Sequence, residues 1–240
     1  MSSFSDWNSS NYEPVIAILL TAACFSAYWF IAMHPAIKTK FFIDTEEEKG
    51  WINYVVFQKM TGALFLGIIP CTIVLTTTEY TLYDLGINFN SLNESLAYTG
   101  IMGTLILLIN FFASGNPERL VDFPQMRVRT WSTKILSINS LSWFAYLFAY
   151  EFLFRGILLF LCYATMGFWP AVAVNIALYA TTHIPKGAGE TVGTFPYGLL
   201  LCYVTISTGS IFVAFATHLI MALSNDLFSI YHNKEMKIVK

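Results

Sequence analysis

The chain has 240 residues, 56% of them hydrophobic and only 12% charged, with a formal net charge of −2. A soluble domain gives about a quarter of its residues to charge, so this composition excludes water as the solvent for most of the surface. It also lacks a basic stripe, which speaks against nucleic acid as a partner.

A hydrocarbon core of about 30 Å takes roughly 20 apolar residues per helical span, and blocks of that length recur here, predicting an all-α polytopic membrane helix bundle. The opening segment, MSSFSDWNSSNYEP, carries no basic n-region, so the first block, Pro14 to Met33, is expected to stay as a span rather than be cleaved. Further spans are expected at Tyr54 to Thr77, Ala97 to Ala113, Ile135 to Phe154, Pro170 to His183, Val192 to Thr208 and Ser210 to Ser229. Gly156 to Phe168 is apolar as well. The fourth span either runs on through Arg155 as one long helix or breaks at Gly156, giving seven crossings or eight. The Glu79 to Leu96 loop reads as a turn-rich surface excursion. Cys24, Cys71, Cys162 and Cys202 fall inside apolar blocks without CxxC spacing, as packing residues do. No internal repeat marks the corresponding broken helices of many transporters. The chain is expected to divide into residues 1–134 with three spans, 135–230 with a polar site, and a tail at 231–240, all in one membrane domain.

Short loops rich in Lys and Arg usually stay in the cytoplasm. Lys38, Lys40 and Lys49 follow the first span, Arg119, Arg127, Arg129 and Lys134 the third, Lys186 the fifth, and Lys234, Lys237 and Lys240 the seventh. The N-terminal segment and the Glu79 to Leu96 loop have none. The expected arrangement in the cell membrane is therefore N-terminus outside and C-terminus cytoplasmic.

Glu151 and Arg155 are the only acid and base other than histidine between Ile135 and Pro185, and exposure of either to lipid would be costly. Their i, i+4 spacing stacks them on one helix face. That suits a mutually neutralised structural pair, and equally a functional site. His183 closes the fifth block, and His218 lies inside the seventh, between IFVAFAT and LIMAL. A glutamate and two histidines on three neighbouring spans point to a buried polar site with a use. Burial would make a carboxylate a better base, while Arg155 would pull it back towards ionisation. Histidine can hold water, stabilise an oxyanion or bind metal. Glu151, His183 and His218 together also form a possible zinc ligand set. The helical zinc-protease motif HExxH is absent.

AYEFLFRG at Ala149 to Gly156, YATTH at Tyr179 to His183 and the last apolar helix with His218 resemble the CPBP intramembrane proteases, relatives of the CAAX prenyl endopeptidases and the abortive-infection proteins. The resemblance covers roughly Ile135 to Asp226, against a family pattern of EExxxR, FxxxH and HxxxN or HxxxD. It implies packed helices in a bacterial inner membrane and a Glu-activated water that cuts a membrane-embedded or lipid-linked peptide. In that mechanism Glu151 polarises water, His183 positions it, His218 stabilises the oxyanion and Arg155 holds Glu151. Three positions depart from the pattern: Tyr150 stands where the first acid is expected, Tyr179 where the second motif has its aromatic, and Ala222 where Asn or Asp follows the last histidine. Asn225, on the same face two turns beyond His218, is a candidate replacement. A single-acid subgroup of bacterial members is similar in having an HxxKPxxET segment, here HIPKGAGET. Glu190 within it either folds back over the site or is a solvated loop carboxylate. A pseudoprotease serving as a membrane scaffold and a proton or ion transporter are the rival readings, and lipids and membrane proteins are the expected partners.

Overall fold

The structure, a computed structural model, describes residues 12–239, so the expectations for the N-terminal segment fall largely outside the described residues. With no water in a bilayer to satisfy backbone N–H and C=O groups, each apolar block closes its own hydrogen bonds as a helix. The helices are α1 (Tyr12–Ala32), α2 (Pro35–Lys40), α3 (Glu47–Thr77), α4 (Leu92–Ala113), α5 (Pro117–Asp122), α6 (Thr133–Met166), α7 (Phe168–Thr181), α8 (Ala188–Thr208) and α9 (Phe212–His232). Two three-residue strands, β1 (Thr130–Ser132) and β2 (Lys237–Val239), pair in parallel, with Trp131 opposite Ile238.

All seven expected spans fall on helices. Five of them, α1, α3, α4, α6 and α9, are long and apolar enough to cross a membrane unaided. At 14 residues α7 rises about 21 Å, short of the hydrocarbon core. The fourth span does not break at Gly156: α6 runs unbroken to Met166, where Gly167 at φ +74° turns the chain into α7. The eighth crossing is therefore not formed.

Helix α6 is the hub, and 72% of its most apolar window is buried against other helices. It keeps its course past Gly156 through a π-helical segment, Phe152–Leu158, and α3 contains a second, Ala63–Ile68. The two wide turns pack together. Gly67 makes that approach possible, because a Cβ there would sit 2.8 Å from the Ala149 Cβ.

Helix α9 lies between α4 and α6. On the α4 side, Asn110 Nδ2 donates to Ser224 Oγ at 2.8 Å and to the Met221 carbonyl at 3.1 Å. At one end of the bundle the loop before α4 grips the α8–α9 turn, with Asn88 Nδ2 donating to the Gly209 carbonyl at 2.8 Å and Ser210 Oγ to the Asn88 carbonyl at 2.8 Å. At the other end stands the β1–β2 ladder, beside which the Arg129 N–H donates to Glu48 Oε1 at 2.9 Å.

Candidate active site

Glu151 ends the α-helical part of α6, and Arg155 lies one turn on, within the π segment. Both side chains are fully buried, with Arg155 Nε 3.6 Å from Glu151 Oε2. The other carboxylate oxygen, Oε1, meets His218 Nδ1 of α9 at 2.6 Å. This is the length of a charge-assisted hydrogen bond. A carboxylate can only accept, so Nδ1 carries the proton and the second ring nitrogen, Nε2, presents a lone pair. The His218 side chain keeps 14% of its surface accessible while Glu151 keeps none.

Arg155 is held from α7. Its Nη1 donates to Asn175 Oδ1, and its guanidinium lies 4.6 Å over the Tyr179 ring. Asn175 Nδ2 in turn donates to the Phe154 carbonyl at 2.6 Å, which also accepts the Leu159 N–H across the π turn. The wide turn of α6 thus shares its carbonyl with α7.

His183 sits just past α7 and is 7% exposed. Its Nδ1 lies 3.0 Å from both the Tyr179 carbonyl and Thr182 Oγ1. Thr182 donates its own hydroxyl proton to the Tyr179 carbonyl at 2.7 Å, so its oxygen is left to accept from His183 Nδ1–H and from the Tyr150 hydroxyl at 2.8 Å. The tautomer follows: His183 too presents Nε2 as an acceptor. Tyr150, in the place of the first acid, is a tether between α6 and α7. Beside Thr182 a cavity of about 210 Å³ opens between α1 and α7, lined by Thr21, Ala22, Phe25, Ser26, Phe154 and Leu178.

The structure therefore joins Glu151 to Arg155 and His218 directly, and places His183 in the same neighbourhood through Tyr150 and Thr182. It does not bring in Asn225, which accepts from Arg119 Nη1 at 3.3 Å on the α5 side and sits about 10 Å along α9 from His218. Nor does Glu190 fold over the site. It belongs to the first turn of α8, is exposed, and pairs with Lys186 at 3.7 Å. Among the described residues no three of His, Cys, Asp and Glu are disposed to hold a metal ion. Glu151 is spent on Arg155 and His218, so the Glu151, His183 and His218 set does not fit zinc. Asn175 and Thr182 were not anticipated. Asn175, Tyr179 and His183 recur at i, i+4 and i+8, one face of α7 and of the turn that follows it, and that spacing is the signal that could have found Asn175.

Residues 123–224 match the family model of the type II CAAX prenyl endopeptidase Rce1-like proteins. No curated protein and no solved structure matches the chain. The matched stretch runs from the segment before β1 into α9 and includes every helix that contributes to the Glu151 cluster, so it is in the part of the chain that builds this cluster that the membrane protein is similar to the CAAX-protease-like family.

Proposed function

We propose that the protein is an intramembrane endopeptidase in which Glu151 and His218 act as one proton-handling pair. The observation that carries this reading is the 2.6 Å bond between Glu151 Oε1 and His218 Nδ1 inside a nearly closed helix cluster. It shifts the division of labour from the one the family resemblance implies. Glu151 holds the imidazole and stabilises its charge, and His218 Nε2 takes the proton of a water. His183 Nε2 accepts that water's other hydrogen and orients it. The resulting hydroxide attacks the peptide carbonyl carbon. The imidazolium faces the oxyanion, and returns its proton to the leaving amine as the C–N bond breaks. Arg155 keeps the Glu151 carboxylate in place. The substrate is a membrane-embedded or lipid-linked peptide, and the cavity between α1 and α7 offers it an approach at membrane depth. The N-terminus faces outward and the β1–β2 end lies in the cytoplasm, as the loop charges direct.

Replacing Glu151 by Gln keeps an oxygen for Nδ1–H and removes the charge. Cleavage of a membrane peptide by the purified protein in liposomes is expected to fall about 10²- to 10⁴-fold, the usual worth of acid–base catalysis, and because buried Arg155 then lacks its counter-charge the melting transition falls too, so activity is compared below that transition. Full activity of the variant would remove Glu151 from the mechanism. Tyr150 and Ala222 favour a second reading, a scaffold that has lost its chemistry. It requires that the parent protein cleave nothing and that E151Q bind partners as the parent does.

A further inference from the structure

A second buried polar group lies outside the cluster described above. Asp226 of α9 is enclosed, and its Oδ2 accepts two hydrogen bonds from α6, from Trp143 Nε1 at 2.7 Å and from Asn139 Nδ2 at 2.8 Å. Over the Trp143 ring stands Lys59 of α3, 3% exposed, with its ammonium 3.7 Å from the ring centroid and attracted by the Asp226 carboxylate. Neither Lys59 nor Asp226 belongs to the matched stretch.

The spacing of the two groups is the telling feature. Helices α6 and α9 run antiparallel. Glu151 meets His218, and eight residues back along α6 Trp143 meets the residue eight further along α9, Asp226. The pairs 151 with 218 and 143 with 226 thus share one register and stand about 12 Å apart along the helices. Between them the interface is apolar: Leu147 and Trp143 against Ala222, Leu219 and Leu223, with Phe144 and Phe148 against Phe215. In lipid such a surface has little hydrophobic drive to select one register over its neighbours, whereas buried polar pairs select it strongly. A slip of α9 by one residue combines a translation of about 1.5 Å with a turn of about 100°, which swings His218 away from Glu151.

We propose that Asp226, held by Trp143 and Asn139, is a positioning residue that fixes the register and rotation of α9 so that His218 stays on Glu151. The N-terminal half contributes through Lys59, over the Trp143 ring. The proposal rests on the reading of Glu151 and His218 as the proton-handling pair, and its test separates the two.

Two charge-neutral double variants keep Lys59 from being stranded. K59M/D226N retains an oxygen for Trp143 and Asn139, and K59M/D226L removes it. Each is reconstituted, its melting transition recorded, and its histidines labelled so that the low-field Nδ1 proton of His218 on Glu151 can be followed by NMR alongside peptide cleavage. The expected result is that K59M/D226N keeps the resonance and the parent kcat, while K59M/D226L folds, loses the resonance and drops at least about tenfold in kcat at unchanged KM. If K59M/D226L keeps both the resonance and kcat, the proposal is overturned. Loss of the resonance in a set of proteins none of which cleaves, the parent included, supports the positioning role and sinks the peptidase reading. Should K59M/D226L fail to fold, Trp143→Phe, which removes one of the two donors, decides on the same readouts: a lowered kcat with a shifted resonance supports the proposal, and parent values for both overturn it.

Discussion

At the scale of single residues, Tyr150 is one of the three positions where the family pattern and this chain part, and its hydroxyl is spent on Thr182 rather than turned towards Glu151 or His218. Tyr150→Phe keeps the ring among Tyr146, Phe154 and Tyr179 and removes one buried hydrogen bond. A thermal melt in detergent is expected to show a loss of about 1 kcal/mol, and cleavage to stay within about tenfold of the parent, because His183 keeps the Tyr179 carbonyl as acceptor. A collapse of activity comparable with that of E151Q would make Tyr150 part of the chemistry. The burial of Glu151, Arg155 and His183, and the meeting of Glu151 with His218, were legible in the sequence because ionisable groups deep in apolar blocks must face protein rather than lipid. That Asn225 lies outside the Glu151 cluster was not legible, because helical spacing tells which face a residue occupies but not which neighbour covers it, here Arg119. Lys59 and Asp226 escaped notice for a related reason. A charge within a turn or two of a span's end reads as interfacial, and only packing against α6 reveals that both are enclosed.

At the scale of elements, the apolar blocks marked every long helix, while their ends and internal irregularities were hidden. α3 begins seven residues before the expected Tyr54, since Glu47 and Glu48 in its first turn favour a helix N-terminus although they are charged. The π segments left no trace in composition. Each accommodates an extra residue in a turn and is stabilised only by what packs on it, for Phe152–Leu158 the Asn175 bond to the Phe154 carbonyl. Their mutual approach depends on Gly67, so Gly67→Leu is expected to force α3 and α6 apart and destabilise the protein by about 1–3 kcal/mol, read as a lower melting temperature. An unshifted transition would show that the two helices separate freely.

For the whole molecule, hydropathy located the seven longer helices but not which of them cross alone, because α7 is too short and α8 too polar to be judged without the neighbours that enclose them. The cavity beside α1 was also invisible, being made by residues from three distant parts of the chain. If substrate approaches there, Ala22→Trp fills the opening from the exposed face of α1 and lowers kcat/KM for a membrane peptide about tenfold or more without shifting the melt. Parent kinetics in that variant would place the entrance elsewhere. The β1–β2 ladder has a bearing on biosynthesis. Ribosomes make Thr130–Ser132 about 100 residues, or about 5–20 s, ahead of Lys237–Val239. Throughout that interval the strand leading into α6 has an open edge, and it closes only after α9, with His218, has been synthesised. The ladder therefore closes only on chains that already hold both members of the Glu151–His218 pair.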